Sequence, residues 1–277
     1  MKYIDLNQLE LITEDDFINA LNECCRELEN PLLNTESRKK YITDNEKAWS
    51  NIKYKLWILG HLKCWYSEVQ LSLSLAQVEH FRPKKKMHGS LRPHHGYWWR
   101  AFDWSNYRIA HPNVNRRTTD FYSGKKVGKG CYFPLKVETN RAYTKNDESN
   151  EIPVLLDPTV RKDCNLICFD STSGRVIASP QSDIDPDAEW KRRRANDTID
   201  FYYLNEGTWN RRRREIMAAV KANCKLLTDA IGNDDKVAID DCVEKIISQI
   251  SIFSEFTSAA KQALRENLDS EIIAQIL

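Results

Sequence analysis

Four residues with side chains suited to phosphodiester chemistry lie within one stretch of this 277-residue chain, namely Glu79, His80, Asn106 and Asn115. Hydrolysis of a phosphodiester needs a base that deprotonates water and a cation that neutralises charge on the phosphate. Histidine, with an unperturbed pKa of about 6.5, is the side chain best suited to act as that base at neutral pH. Oxygen atoms of carboxylates and amides are the ligands that Mg²⁺ prefers. The stretch therefore indicates a hydrolytic site with His80 as its base.

Each of these residues also has a plainer explanation. His80 could be a histidine at a strand end that bonds to a backbone carbonyl, and Glu79 could pair with Arg82 or a nearby lysine. Asn106 and Asn115 could cap a helix or a turn, where asparagine is common. A capping role is compatible with a place in the site.

Positive charge is concentrated beside these residues. The chain as a whole carries a net charge of only +1. Arg82, Lys84, Lys85 and Lys86 directly follow His80, and they are the predicted contacts to a nucleic-acid phosphate. A second positively charged run consists of the four arginines at 211–214. On a helix their side chains would fan around most of the circumference, so at least one of them should pair with a carboxylate, a phosphate or a partner.

The segment 70–76 alternates serine and leucine with a period of two, which predicts a half-buried strand leading into the site. Because successive side chains of a strand point to opposite faces, a turn or bulge would be needed to bring Glu79 and His80 together. The aromatic stretch 97–104 is expected mainly to pack the core around them.

The rest of the chain predicts an α+β protein. Helices are predicted over 6–29 and 35–59, with Gly60 ending the second, and again from 188 onward, including a last helical region over 237–277. Between them lie a polar linker at 145–150, a short strand at 152–156 and a hairpin around Gly174. We therefore divide the chain into a helical N-terminal region (1–62), a central core (63–140), a strand and hairpin segment (141–205) and a helical C-terminal region (206–277) that could pack on the core or dock a partner.

The location predicted from composition is cytoplasmic. The first ten residues lack the apolar segment of a secretory signal, and no apolar run approaches the roughly 18 residues of a membrane span. Eight cysteines in such a chain are best interpreted as reduced thiols.

Beyond single residues, a series of short motifs occurs in a characteristic order. The series comprises Glu-His-Phe-Arg-Pro-Lys at 79–84, Tyr-Trp-Trp at 97–99, Trp-Ser-Asn at 104–106, an asparagine at 115 followed by arginines, Phe-Pro-Leu at 133–135, Pro-Val-Leu-Leu-Asp-Pro at 153–158 and the segment 199–205 followed by arginines. Over roughly 63–214 the chain thereby resembles the HNH nuclease subunits of Septu and retron anti-phage systems, often called PtuB.

The resemblance implies a ββα-metal nuclease core flanked by helical regions. His80 would be the general base, Glu79 and Asn115 would hold one Mg²⁺ or Mn²⁺, and Asn106 would fix the loop that carries His80. The resemblance also implies DNA or RNA as the substrate and an ABC-type ATPase as the usual partner, with a retron complex as one setting. These roles are implied by the resemblance alone.

The chain departs from that family at its zinc positions. Relatives typically carry two Cys-x-x-Cys pairs, but here the corresponding positions are Cys64 with Ser67 and His111 with Val114. Only Cys64 and His111 could still be ligands, whereas a structural zinc site needs four. We therefore expect the zinc to be absent and its place filled by packing. This departure motivates an alternative function, a non-catalytic nucleic-acid-binding or scaffold subunit on a degenerate HNH fold, with a zinc-binding transcription regulator a more distant possibility.

Overall fold

A computed structural model describes residues 1–13, 15–121 and 123–276. The helices are, in chain order, α1 Gln8–Ile12, α2 Asp15–Leu28, α3 Thr35–Asp44, α4 Lys47–Leu59, α5 Pro112–Asn115, α6 Arg161–Cys164, α7 Ala188–Phe201, α8 Gly207–Gly232, α9 Lys236–Ile250, α10 Thr257–Asn267 and α11 Ser270–Ile276. The strands are β1 Gln77–His80, β2 Tyr107–Ala110, β3 Thr118–Thr119, β4 Lys126–Val127, β5 Ile167–Phe169 and β6 Val176–Ala178. Short 3₁₀ turns occupy Trp98–Arg100, Trp104–Asn106, Glu138–Asn140 and Lys145–Asn150. The mixture of helices with small antiparallel sheets confirms the α+β class.

The strands form two-stranded antiparallel pairs, β1 with β2, β3 with β4 and β5 with β6. The last pair is the hairpin predicted around Gly174, which has a positive φ of 71° and lies so close to the backbone of α8 that a Cβ atom would meet the carbonyl oxygen of Asn210 at 2.1 Å. Only glycine fits both requirements at this turn.

Two predicted strands are wrong. The segment 70–76 forms turns, and the strand at the site begins only at Gln77. Leu73 and Leu75 are partly exposed, so the alternating leucines do not cover a buried face. The segment 152–156 contributes an isolated bridge between Pro153 and Leu135 rather than a strand.

The helical N-terminal region is confirmed in outline, with breaks inside both predicted helices. The first prediction, 6–29, becomes α1 and α2, and its residue 14 lies outside the described residues. The second breaks at Asn45, whose side chain donates to the Tyr41 carbonyl. In α4 one face is buried, as its spacing predicted, and Gly60 ends the helix. That face packs against β1 and β2.

Buried residues from Met1 to Leu268 form one contiguous core, and the central sheet lies inside it. The four-part division of the sequence stays a prediction. The predicted linker at 145–150 is wrong, because it is a 3₁₀ turn whose Glu148 side chain accepts hydrogen bonds from Trp99 at 2.7 Å and from Arg100 at 2.9 Å. A buried carboxylate with such partners anchors the segment.

The C-terminal helices α8, α9 and α10 pack on one another. In the basic run of α8, Arg212 pairs with Glu255, whereas Arg213 is fully buried and donates to the carbonyl of Gly174 at 2.5 Å. The expectation that one of these arginines has a carboxylate partner is confirmed. Residue 277, the end of the last predicted helix, lies outside the described residues.

The described residues include no helix that is both long enough and apolar enough to cross a membrane.

Candidate active site

The centre of the site is the antiparallel pair β1–β2. Its register is continuous, with Glu79 opposite Arg108 and His80 opposite Tyr107. Helix α5 follows β2 directly and contacts β1. Two strands and a short helix thus bring His80, at the end of β1, and Asn115, at the end of α5, to the same part of the molecule.

Asn106 fixes the loop that leaves β1. Its Oδ1 accepts a hydrogen bond from the Arg82 amide at 2.8 Å, and its Nδ2 donates to the carbonyls of Arg82 at 3.0 Å and Arg100 at 3.1 Å. The side chain is buried, so these three bonds replace contacts to water. Asn106 therefore ties the chain after His80 to the 3₁₀ turn before β2.

The tautomer of His80 follows from its partners. Its Nε2 lies 2.9 Å from the carbonyl oxygen of Ala101, which can only accept, so Nε2 carries the proton. The other ring nitrogen, Nδ1, is therefore an acceptor, and it lies 3.1 Å from Nζ of Lys84. Burial, and then the charge of Lys84, lower the pKa of His80 well below its ordinary value. The imidazole is therefore neutral at pH 7, with an unprotonated lone pair on Nδ1.

The imidazole is held from two sides by aromatic rings. Tyr107 meets it edge to face at 5.0 Å between ring centroids, and Trp49 of α4 does so at 5.4 Å. Trp49 also lies under the Lys84 ammonium, 4.4 Å from Nζ. The N-terminal helices therefore form one wall of the site, a role that the spacing of Trp49 in an amphipathic helix could not show.

His80 and Asn115 line one cavity of about 320 Å³. Its other lining residues are Val78, Pro83, Lys84, Lys85, Arg116, Arg117, Gly130 and Cys131. The amide of Asn115 lies 3.0 Å from that of Gln77. Among the residues that the structure describes, no aspartate or glutamate lines the cavity, whereas four of its lining residues are lysine or arginine. Its electrostatics favour an anion, such as a phosphodiester.

Glu79 is not brought to this cavity. It is 1% exposed, accepts a hydrogen bond from the Tyr66 hydroxyl at 2.8 Å and forms an ion pair with Lys129. The physical reason is that β1 pairs regularly with β2 and has no bulge, so adjacent side chains point to opposite faces. Its carboxylate is thus the partner of a nearby lysine, which was the plainer explanation.

Lys129 is a site residue that sequence reasoning missed. Its ammonium is buried and also donates to the carbonyls of His80 at 2.6 Å and Phe81 at 2.7 Å, so it fixes the end of β1. The sequence signal that could have pointed to Lys129 is the pair of glycines that flank it, Gly128 and Gly130. Gly128 has a φ of 83°, and a Cβ there would meet the Arg116 carbonyl oxygen at 1.9 Å, so the chain needs glycine to bring Lys129 this close.

The predicted phosphate contacts divide into two groups. Lys84 and Lys85 line the cavity, and Lys86 is exposed beside it. The Arg82 guanidinium is instead engaged inside the chain, with its Nε 3.2 Å from Glu151 and 3.3 Å from Glu148. Arg82 therefore holds the loop through its Nε, and its contact with a phosphate stays a prediction.

Two cavity residues absent from the predicted contacts, Arg116 and Arg117, directly follow Asn115. Both are exposed. Their position directly after Asn115 was the sequence signal that could have identified them as cavity residues.

Cys64 and His111, the two positions at which the resemblance would place zinc ligands, have partners within the chain. Cys64 is buried, and its sulfur accepts from the Ser67 amide at 3.5 Å. The His111 side chain accepts from the Asn113 amide at 3.1 Å, which caps α5, and its ring packs edge to face on Trp209 at 5.3 Å. Across residues 1–13, 15–121 and 123–276 no group of three histidine, cysteine or acidic side chains is placed to share a metal.

The cavity also does not fit a divalent cation as it is arranged. Its described lining offers the Asn115 amide and the His80 imidazole but no carboxylate, and Lys84 and Arg116 add positive charge. A hard cation such as Mg²⁺ is normally bound through carboxylates. The predicted set of Glu79 with Asn115 is therefore not assembled.

Comparison with known proteins gives one informative match. The chain is 38% identical over 102 residues to the Septu protein PtuB of Bacillus mycoides (strain KBAB4). The matched segment covers 35% of this chain and 30% of that protein, so the likeness concerns about a third of each. No family model matches the chain. The chain is thus a PtuB-like relative over the matched segment.

Proposed function

We propose that this protein is an HNH-type endonuclease that hydrolyses phosphodiester bonds of DNA or RNA at the His80 cavity. The observation that carries the proposal is the tautomer of His80. Its Nε2 proton is held by the Ala101 carbonyl at 2.9 Å, so its Nδ1 lone pair is presented in a cavity lined by cations. A neutral imidazole of fixed tautomer is what general-base catalysis on water requires.

In the proposed reaction Nδ1 of His80 accepts a proton from water as the water oxygen bonds to phosphorus. The bond from phosphorus to the leaving oxygen breaks, and that oxygen takes up a proton from solvent. The charge that develops on the phosphate faces Lys85, Arg116 and Arg117. Asn106 positions the loop that carries the base and does not itself touch the substrate.

The biological setting is part of the same proposal. The likeness to a Septu protein supports a role in anti-phage defence, and we infer that this chain is the effector subunit of a complex with an ABC-type ATPase. Dependence on Mg²⁺ or Mn²⁺ remains a prediction, because none of the described residues that line the cavity carries a carboxylate. Cytoplasmic location is expected of a protein that acts on nucleic acid inside the cell.

One observation favours the alternative of a non-catalytic nucleic-acid-binding or scaffold subunit. Glu79, the predicted metal ligand, is buried and paired with Lys129. A chain that has lost both its zinc and its catalytic metal could still use the basic cavity to hold nucleic acid. His80 would then be a structural residue satisfied by the Ala101 carbonyl.

The two functions are separated by one experiment. The purified chain and its His80→Ala variant are incubated with plasmid DNA, short DNA duplexes, single-stranded DNA and tRNA, with Mg²⁺, Mn²⁺ or EDTA, and binding is measured on the same samples. Cleavage by the wild type that disappears in a folded His80→Ala variant supports the nuclease. Tight binding by both without any cleavage, with or without the ATPase, supports the scaffold.

A further inference from the structure

The Lys84 ammonium occupies an unusual position beside the candidate base. Its Nζ lies 3.1 Å from Nδ1 of His80 and 4.4 Å from the ring of Trp49. The side chain is half-buried and lines the His80 cavity. Within the part of the chain that the structure describes, no carboxylate lies within ion-pair distance of it, so its only hydrogen-bond partner is the lone pair of the base.

This contact opposes catalysis as it stands. An ammonium that donates to Nδ1 uses the lone pair that would accept a proton from water. Burial, with the charge of neighbouring Lys85, lowers the pKa of Lys84 to about 8, so the ammonium is still mostly protonated at neutral pH. The base is therefore blocked until Lys84 finds a better partner.

A phosphodiester is such a partner. A hydrogen bond from an ammonium to an anionic oxygen is markedly stronger than one to a neutral acceptor. Nζ of Lys84 lies within hydrogen-bond distance of Nδ1. A phosphate bound by Lys84 is therefore held beside the nitrogen that must deprotonate water. Lys85 and Arg117 line the same cavity but have no hydrogen bond to His80 among the described residues, so they cannot couple the two events.

We propose that Lys84 is a positioning residue that carries the scissile phosphate to His80 and frees the base by giving up its hydrogen bond to the imidazole. The inference rests on the proposed function, since it assigns how the substrate of that site is placed. In the free protein the Lys84 ammonium contacts the Trp49 ring, 4.4 Å from Nζ, as well as Nδ1 of His80, and it leaves both when it turns to a phosphate.

The proposal is tested by a binding cycle that needs no catalysis. Fluorescent DNA and RNA oligonucleotides are titrated in EDTA with the wild type, His80→Ala, Lys84→Met and the double variant, after thermal unfolding has shown that each is folded. In the wild type, binding must break the Lys84–His80 hydrogen bond, whereas in His80→Ala this cost is absent. His80→Ala should therefore bind about three- to tenfold tighter, which corresponds to one hydrogen bond. In the Lys84→Met background the same change should have no effect.

The matched control is Lys85→Met, which removes a cavity cation that does not contact His80. It should weaken binding but keep the full gain from His80→Ala. Lys84→Arg should restore most of the binding lost in Lys84→Met, and Lys84→Met should reduce the slope of log Kd against log salt by about 1, as expected for one phosphate contact.

The outcomes also separate this inference from the nuclease function. Equal effects of His80→Ala with and without Lys84 would overturn the inference, even if the wild type cleaves. A coupled cycle in a protein that never cleaves would leave Lys84 as the phosphate carrier of a binding site and reject the nuclease. Absence of binding to any nucleic acid would overturn both.

Discussion

Replacing Lys129 by methionine should destabilise the protein more than any surface substitution, because Lys129 is the buried cation at the end of β1. Its ammonium has three oxygen partners, the Glu79 carboxylate and the carbonyls of His80 and Phe81. Methionine preserves most of the volume but removes the cation beside the Glu79 carboxylate, which is 1% exposed and keeps the hydrogen bond from the Tyr66 hydroxyl. Breaking a buried pair by removing one partner costs about 3–5 kcal/mol.

Thermal unfolding measures the effect. A loss of this size should lower the Tm by roughly 10 °C in a chain of this length. Lys126→Met is the matched control, because Lys126 is exposed and its ammonium donates to the exposed Thr119 hydroxyl, and it should change stability by less than about 0.5 kcal/mol. Adding Glu79→Gln to Lys129→Met should recover part of the loss, since no uncompensated charge then remains.

The reasoning would be refuted by a Lys129→Met variant as stable as Lys126→Met. Such a result would mean that Glu79 finds another cation or reaches water. It would return Glu79 to consideration as a metal ligand.

Two further predictions concern the loop and the sheet. Asn106→Ala should lower the free energy of unfolding by about 2–4 kcal/mol, because three buried hydrogen bonds are lost. It should also slow any cleavage, because the loop that carries His80 is released. A variant with unchanged Tm and cleavage rate would contradict this prediction. Burial alone would raise the pKa of Asp157, but the Arg108 guanidinium, 2.6 Å away, outweighs it and holds the pKa below the ordinary 3.8. The stability that Asp157 contributes is then fully present above pH 4 and is lost as the pH falls through its lowered pKa. Asp157→Asn should thus lower the Tm clearly at pH 7 and much less at pH 2.5, whereas an equal loss at both pH values would argue against the ion pair.

The structure places His80, Asn106 and Asn115 in one region, as expected from the sequence, and pairs Glu79 with Lys129. The expectation that Asn106 fixes the loop carrying His80, and that Asn115 lies in the same site, came from the resemblance of the ordered motifs to a known family. These are local relations, and the structure brings the three residues to the same region. The catalytic assignment itself stays a prediction.

The parts that failed depend on distant partners. The alternating leucines of 70–76 have the period of a strand, but nothing in the sequence says that no neighbouring strand is available to pair with them. The polar segment 145–150 has the composition of a linker, yet Arg100 and Trp99 give its Glu148 buried partners. The side chains of Glu79 and His80 point to opposite faces of β1 because that strand pairs regularly with β2. Composition does not reveal whether a strand pairs regularly or has a bulge.

The most direct test of the central claim compares His80→Ala with His88→Ala in single-turnover cleavage of the best substrate. Both variants remove an imidazole, but His88 is exposed and does not line the His80 cavity. If His80 is the general base, His80→Ala should reduce the rate by about 10²–10⁴-fold while His88→Ala leaves it unchanged. Equal rates in wild type, His80→Ala and His88→Ala would place any cleavage elsewhere and contradict the proposed site.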